Sequence, residues 1–146
     1  MSIMKYLRRF YHRYIQTVLY EFETVTIRLI LATASLFFGT ALLSSNIPFS
    51  KEAYSIMAAV GDQWVWGPVF MTHFFLTMWR LHDPKSRPKC AVAVNALGVF
   101  LWGFSTLSIN VAVGYFAPST AMEWVMVVLA SWALFRTAKA PERVSP

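Results

Sequence analysis

Sixteen of the twenty charged residues fall in three parts of this 146-residue chain, and this distribution constrains the fold more than any other feature. They lie before residue 29, in the stretch 80–90 and after residue 135. The segments between them are too apolar for water, in a chain that is 57% hydrophobic and only 14% charged. Pro84 and Pro88 prevent a helix from running through the stretch 80–90. This stretch is therefore interpreted as a cytoplasmic turn between two transmembrane hairpins.

The apolar segments predict an all-α membrane protein, a single domain over residues 1–146 with four transmembrane helices arranged as two hairpins. A short outer-surface helix is predicted between the first two spans, because Pro48 ends the first span and Gly61 can end the short helix. Thr120-Ala-Met-Glu123 has the spacing of a capping box and predicts where the fourth span starts. The predicted spans cover about residues 26–45, 63–82, 90–115 and 120–137.

Residues 3–24 have the pattern of an amphipathic helix that lies in the membrane interface. Apolar side chains from Leu7 to Phe22 share one face, which would be buried at the acyl boundary. The opposite face is basic and is predicted to contact anionic lipid headgroups through Lys5, Arg8, Arg9 and Arg13. Two alternatives remain open: a helix that covers a partner protein, and a mitochondrial targeting peptide, because no acidic residue precedes Glu21.

The positions of lysine and arginine predict the orientation. Twelve of the thirteen lie in the N-terminal segment up to Arg28, in the middle loop or in the short basic tail that includes residues 138–146, whereas Lys51 lies on the other side. Four spans place all the basic clusters in the cytoplasm, so both termini are expected there, in a bacterial inner membrane. Anionic lipid accounts for the net charge of +6, and no nucleic-acid partner is expected.

Small residues predict where neighbouring helices approach closely. Ala32, Ser35 and Gly39 lie on one face of the first span at spacings of three and four residues, and Gly98 lies on the third span. Small side chains allow two transmembrane helices to come into close contact. These four residues are therefore predicted to pack against other helices.

A polar site is predicted inside the membrane around His73 of the second span. An ionisable residue within a span is a functional hypothesis by default, and Asn95, Thr106 and Asn110 of the third span are its predicted partners. Thr77 lies on the same helical face as His73. Two interpretations remain open: hydrogen bonds that hold helices together, or the polar lining of a pore.

Enzymatic activity is not expected. No carboxylate lies in the middle of a span, and a lone Cys90 excludes an internal disulfide or a CxxC motif. His73 and His82 are nine residues apart and so lie on opposite faces of one helix, which argues against bis-histidine haem binding. The sequence offers no catalytic grouping, metal cluster or cofactor motif.

The sequence favours a non-enzymatic membrane protein that self-associates or docks on a larger membrane partner through helix contacts. The alternative is a holin-like or channel-like oligomeric pore that permeabilises the membrane. In outline, a basic amphipathic N-terminus followed by a few short spans is similar to many small bacterial and phage membrane proteins. These include holins, superinfection-exclusion proteins and accessory subunits, and the similarity assigns no role to any residue.

Overall fold

The computed structural model describes residues 16–44, 52–82, 88–114 and 120–139, and every regular element in these ranges is helical. Three helices are long and apolar enough to cross a membrane, over Phe22–Ser44, Lys89–Val113 and Ala121–Lys139. The prediction of an all-α fold is confirmed for the described residues, with three helices that could cross a membrane. The elements are α1 (Gln16–Ser44), a 3-10 turn (Glu52–Tyr54), α2 (Ser55–Val60), α3 (Gln63–His82), α4 (Pro88–Val113) and α5 (Ala121–Lys139).

Helix α3 occupies the predicted second span, but it is not among the three helices apolar enough to cross a membrane. Its 20 residues would reach about 30 Å, which matches the hydrocarbon thickness. Its lower hydropathy comes partly from Gln63, His73 and Arg80, all of which are buried against the rest of the protein. The outward side chains include Trp64 and Phe75, which are 65% and 59% exposed.

Helix α1 runs unbroken through residue 25, where the predicted interfacial helix 3–24 gives way to the first span. No glycine or proline interrupts the backbone between residues 16 and 38, so nothing in the sequence ends a helix there. The 29 residues of α1 reach about 44 Å, which is longer than the hydrocarbon core. The four basic residues predicted to contact lipid, Lys5, Arg8, Arg9 and Arg13, lie outside the described residues.

The short helix predicted between the first two spans is α2, and it ends at Gly61 as expected. The amide of Gly61 donates to Met57 O at 3.0 Å. Asp62 then caps α3, because its Oδ1 accepts a hydrogen bond from the amide of Val65 at 3.1 Å. Helix α2 packs against α4 rather than lying apart on the surface. Met57 is fully buried, and its carbonyl accepts a hydrogen bond from Trp66 Nε1 at 3.0 Å.

The four long helices form an antiparallel bundle in which α1 packs mainly on α3, and α4 mainly on α5. Aromatic rings join the two pairs at Trp102 of α4, whose ring centroid lies 5.6 Å from that of Phe38 of α1 and 5.4 Å from that of Phe70 of α3. Phe70 and Leu101 are fully buried, so the centre of the bundle is filled by apolar side chains.

The connection between α4 and α5 begins at Gly114, whose φ of 75° is the left-handed conformation that favours glycine. Its amide donates to Asn110 O at 3.0 Å and closes the last turn of α4. Helix α5 begins at Ala121, directly after the threonine of the predicted capping box. We call the end of the bundle that carries α2 and Thr120 the outer end, and the end that carries Arg28 and Arg136 the inner end.

Candidate functional site

His73 lies where three helices meet, and its imidazole is only 2% exposed. Its Nδ1 is hydrogen-bonded to Ser35 Oγ of α1 at 2.9 Å. On its other side lies Gly98 of α4, where a methyl group would come within 2.7 Å of His73 Nε2. The side chain is thus held between a serine and the backbone of a glycine.

The histidine partner predicted from the sequence was wrong. Asn95, Thr106 and Asn110 of the third span were expected to bond His73, but the bond is made by Ser35 of the first span. The physical reason is the register between α1 and α3, which places the small-residue face of α1 opposite the polar face of α3. Helical periodicity shows which residues share a face, but it does not show which face a neighbouring helix presents.

The small-residue face of α1 lies against α3. Ala32 and Ser35 are fully buried, and a methyl group at Gly39 would lie 2.9 Å from the carbonyl oxygen of Gly67. In return, a methyl group at Gly67 would lie 2.5 Å from Leu43 Cγ. The backbones of the two helices therefore touch at these two glycines. Gly67 was not singled out from the sequence, although it is the only glycine within α3.

Asn95 belongs to a second polar cluster, at the inner end of the bundle. Thr137 Oγ1 of α5 accepts hydrogen bonds from Asn95 Nδ2 of α4 at 2.7 Å and from Arg28 Nη2 of α1 at 2.9 Å. The same hydroxyl donates to Ala133 O at 2.7 Å. This cluster ties three helices together. Thr137 was missed because a threonine near a predicted basic tail gave no sign of an interior position.

Asn110 and Thr106 form a third group towards the outer end. Thr120 Oγ1 donates to Asn110 Oδ1 at 3.1 Å, and Asn110 Nδ2 donates to Thr106 O at 2.7 Å. Thr106 Oγ1 donates within its own helix to Trp102 O at 2.6 Å. Thr77 is buried near the inner end, and its hydroxyl has no hydrogen-bond partner among the described residues. The five predicted polar residues therefore do not converge on a single site.

A groove of about 380 Å³ lies between α1 and α5 towards the outer end. Its lining is almost entirely apolar and includes Phe37, Ala41 and Met126. Glu123 and Trp102 also belong to the lining. Glu123 Oε2 and Trp102 Nε1 are both buried, and neither has a hydrogen-bond partner within the described ranges. We call this feature the α1–α5 groove.

Glu123 also affects the pKa of Tyr54, which lies at the outer end of the bundle. Burial raises the pKa of the Tyr54 phenol in the 3-10 turn above its usual value, and the negative charge of Glu123 raises it further. The phenol is therefore neutral at physiological pH. The sequence placed Glu123 in a capping box at the outer edge. It gave no sign of the groove, because the groove depends on the distance between two helices that are far apart in the sequence.

Among the described residues, no three His, Cys, Asp or Glu side chains are grouped closely enough to hold a metal ion. Cys90 is a free, half-buried thiol near the start of α4. The chain matches no family model, no curated protein and no solved structure. Functional inference therefore depends on the geometry described above.

Proposed function

We propose that this chain is a non-enzymatic polytopic protein of a bacterial inner membrane, with four spans and both termini in the cytoplasm. In this proposal α3 also crosses the membrane, which brings the number of spans to four. Its polar side chains are buried, and it lies antiparallel along α1, with its backbone in contact at Gly67. The inner end of the bundle then lies in the cytoplasm with the basic clusters, in agreement with the positive-inside rule.

In this proposal the protein acts by binding a second copy or another membrane protein through helix contacts. The predicted docking faces need revision, because Gly39, Gly98 and His73 contact one another's helices inside the bundle. The outward side of α4 remains available. It carries the small residues Ala93, Ala96 and Gly103 and the large apolar residues Phe100 and Leu107. We call these five residues the α4 outer face.

The observation that carries the proposal is the open space at Gly103. A methyl group there would meet no atom of the described residues within 4 Å, whereas methyl groups at Gly39, Gly67 and Gly98 would all collide with a neighbour. Phe100 and Leu107 beside it are more than half exposed. Because lipid provides no hydrophobic drive for helix association, close approach at small residues is a principal source of contact energy. The α4 outer face combines a small residue with large apolar neighbours.

The filled centre of the bundle argues against conduction through one copy. Phe70, Leu101 and Trp102 occupy it, and His73 is held by Ser35 and Gly98 without exposure to a lumen. A pore would therefore need several copies arranged around a new axis. Crosslinking in membranes tests docking, and dye release from liposomes tests the pore.

The test compares Gly103→Leu with Val128→Leu, which places the same side chain at an exposed position on α5. Photo-crosslinking from position 96 in native membranes measures association with a second copy or a partner. We expect Gly103→Leu to reduce the crosslinked fraction several-fold, and Val128→Leu to leave it unchanged. The temperature of thermal unfolding in detergent should not fall in either variant, because neither side chain enters the bundle.

Undiminished crosslinking in Gly103→Leu would contradict docking at the α4 outer face. Purified wild-type protein is also reconstituted in liposomes that contain a self-quenched dye. We expect no dye release. Dye release that rises more steeply than in proportion to protein concentration would contradict the docking function and indicate an oligomeric pore.

A further inference from the structure

We propose that the α1–α5 groove binds one phospholipid with a primary ammonium headgroup, whose acyl chain fills the groove and whose ammonium pairs with Glu123. The site is separate from the α4 outer face and does not depend on the proposed partner.

The groove opens on the outside of the bundle, because Phe37 and Met122 of its lining are 69% and 66% exposed. Helices α1 and α5 are both able to span a membrane, and they are tied together at the inner end, where Arg136 Nη2 lies 2.8 Å from Glu23 Oε2. Arg28 also bonds Thr137 there. Towards the outer end, the groove separates the two helices from Ala34 to Ala41 on α1 and from Met122 to Met126 on α5. The neighbours of such a lateral opening are lipids.

The dimensions favour a chain-shaped occupant. A volume of about 380 Å³ is at the lower end of small-molecule sites, which run from about 300 to 1,000 Å³. A helix is about 10–12 Å across with its side chains and would lie over this groove rather than enter it. The apolar lining of Phe37, Phe38 and Met126 suits methylene groups and offers them few polar contacts.

Glu123 Oε2 and Trp102 Nε1, which have no hydrogen-bond partner in the part of the chain that the structure describes, indicate where the headgroup of the occupant lies. A buried carboxylate oxygen without a partner is costly, and an ammonium group supplies three hydrogen-bond donors and the opposite charge. Glu123 lies in the first turn of α5, near the end of the span, where headgroups are found. The charge and depth of this carboxylate therefore favour an ammonium headgroup.

Trp102 supplies a donor deeper in the groove. The side chain is 3% exposed, and its Nε1 has no partner among the described residues. Asn95 bonds the carbonyl of Ala133 and Asn110 bonds Thr120, and this antiparallel register places Trp102 at the level of about residue 127. Trp102 thus lies about one turn, or about 6 Å, deeper than Glu123. In a phospholipid, the ester carbonyls follow the headgroup in the same order and can accept the indole hydrogen bond.

The test uses full-length protein in a mild detergent, titrated separately with three dioleoyl lipids: phosphatidylethanolamine, phosphatidylcholine and phosphatidylglycerol. Native mass spectrometry counts the bound lipids. We expect one phosphatidylethanolamine to bind roughly tenfold more tightly than the other two, because choline has no N–H group and glycerol has no charge to pair with a carboxylate. Equal affinity for the three lipids would overturn the proposal.

Variants locate the site. Glu123→Gln should remove the preference for phosphatidylethanolamine, whereas Glu52→Gln, an exposed acid at the same end, should retain it. Ala34→Leu narrows the groove and should weaken binding of all three lipids, which gives a second reading if Glu123→Gln folds poorly. A preference that persists in Glu123→Gln would overturn the proposal. So would a dimer or a co-purified helix that excludes lipid from the wild-type groove.

Discussion

The contact between Gly39 and Gly67 allows a sharp test of how the bundle is held together. A methyl carbon at Gly39 would lie 2.9 Å from Gly67 O and 3.0 Å from Met71 Cγ. Carbon atoms pack at about 3.5–4.0 Å, so α1 and α3 would have to separate by roughly half an ångström. The nearest atom is backbone, which cannot rotate away as a side chain can. Gly39→Ala should therefore destabilise the bundle even though it adds a single methyl group.

The magnitude follows from two opposing effects. Overpacking a well-packed interior costs about 1–3 kcal/mol, whereas replacing glycine by alanine within a helix gains about 1 kcal/mol. The net loss at Gly39 should be up to about 2 kcal/mol, and Gly39→Leu should lose more. Gly103→Ala is the matched control, because its new methyl group meets no atom within 4 Å. It should gain up to about 1 kcal/mol in the free energy of unfolding.

The assay is reversible unfolding in mixed micelles, followed by circular dichroism as the denaturing detergent is increased. The difference between the two variants isolates the contact, since both carry the same glycine-to-alanine change. We expect Gly39→Ala to be less stable than Gly103→Ala by about 1–3 kcal/mol. The exchange of one exposed apolar group for another in Phe100→Leu should have little effect. Equal stability of the two alanine variants would refute the close approach of α1 and α3.

Three further predictions concern the polar clusters and the N-terminal segment. His73→Phe should cost about 1–2 kcal/mol by removing the bond to its serine partner, whereas His73→Gln should retain most of the stability, and detergent unfolding measures both. Thr137→Val removes the hydroxyl that accepts hydrogen bonds from Asn95 and Arg28, and it should lower the free energy of unfolding by about 1–3 kcal/mol. The same loss in Thr33→Val, at an exposed threonine, would contradict this explanation. A peptide of residues 1–24 should bind anionic vesicles and dissociate as salt rises, and unchanged binding of a variant that carries both Arg8→Glu and Arg9→Glu would indicate a protein-docking helix instead.

Much of the helical framework could be read from the sequence. The predicted second span, 63–82, coincides with α3, and the predicted end of the short helix at Gly61 is correct. These positions depend on local chemistry: Asp62 offers a capping oxygen and Gly61 interrupts a helix. Phe100, Leu107 and Val111 share one side of α4 by helical periodicity, and all three are more than half exposed.

The sequence was less informative wherever two helices had to be matched. The partner of His73 was expected on the third span and is Ser35 of the first, and Thr137 was not recognised as the acceptor shared by Asn95 and Arg28. The α1–α5 groove likewise could not be predicted from either helix alone, because its width depends on the distance between the two helices.

The sequence by itself therefore determined which segments are helical and, for much of each helix, which side is buried, because both follow from hydrogen bonding and periodicity within about ten residues. The tertiary structure alone decided the pairing of the faces. That pairing depends on small differences in side-chain volume summed over an entire interface, where Gly39 meets Gly67 and sets the register for α1 on α3. Once this register is fixed, Ser35 lies opposite His73, and the polar atoms Glu123 Oε2 and Trp102 Nε1 remain in the groove beside α1.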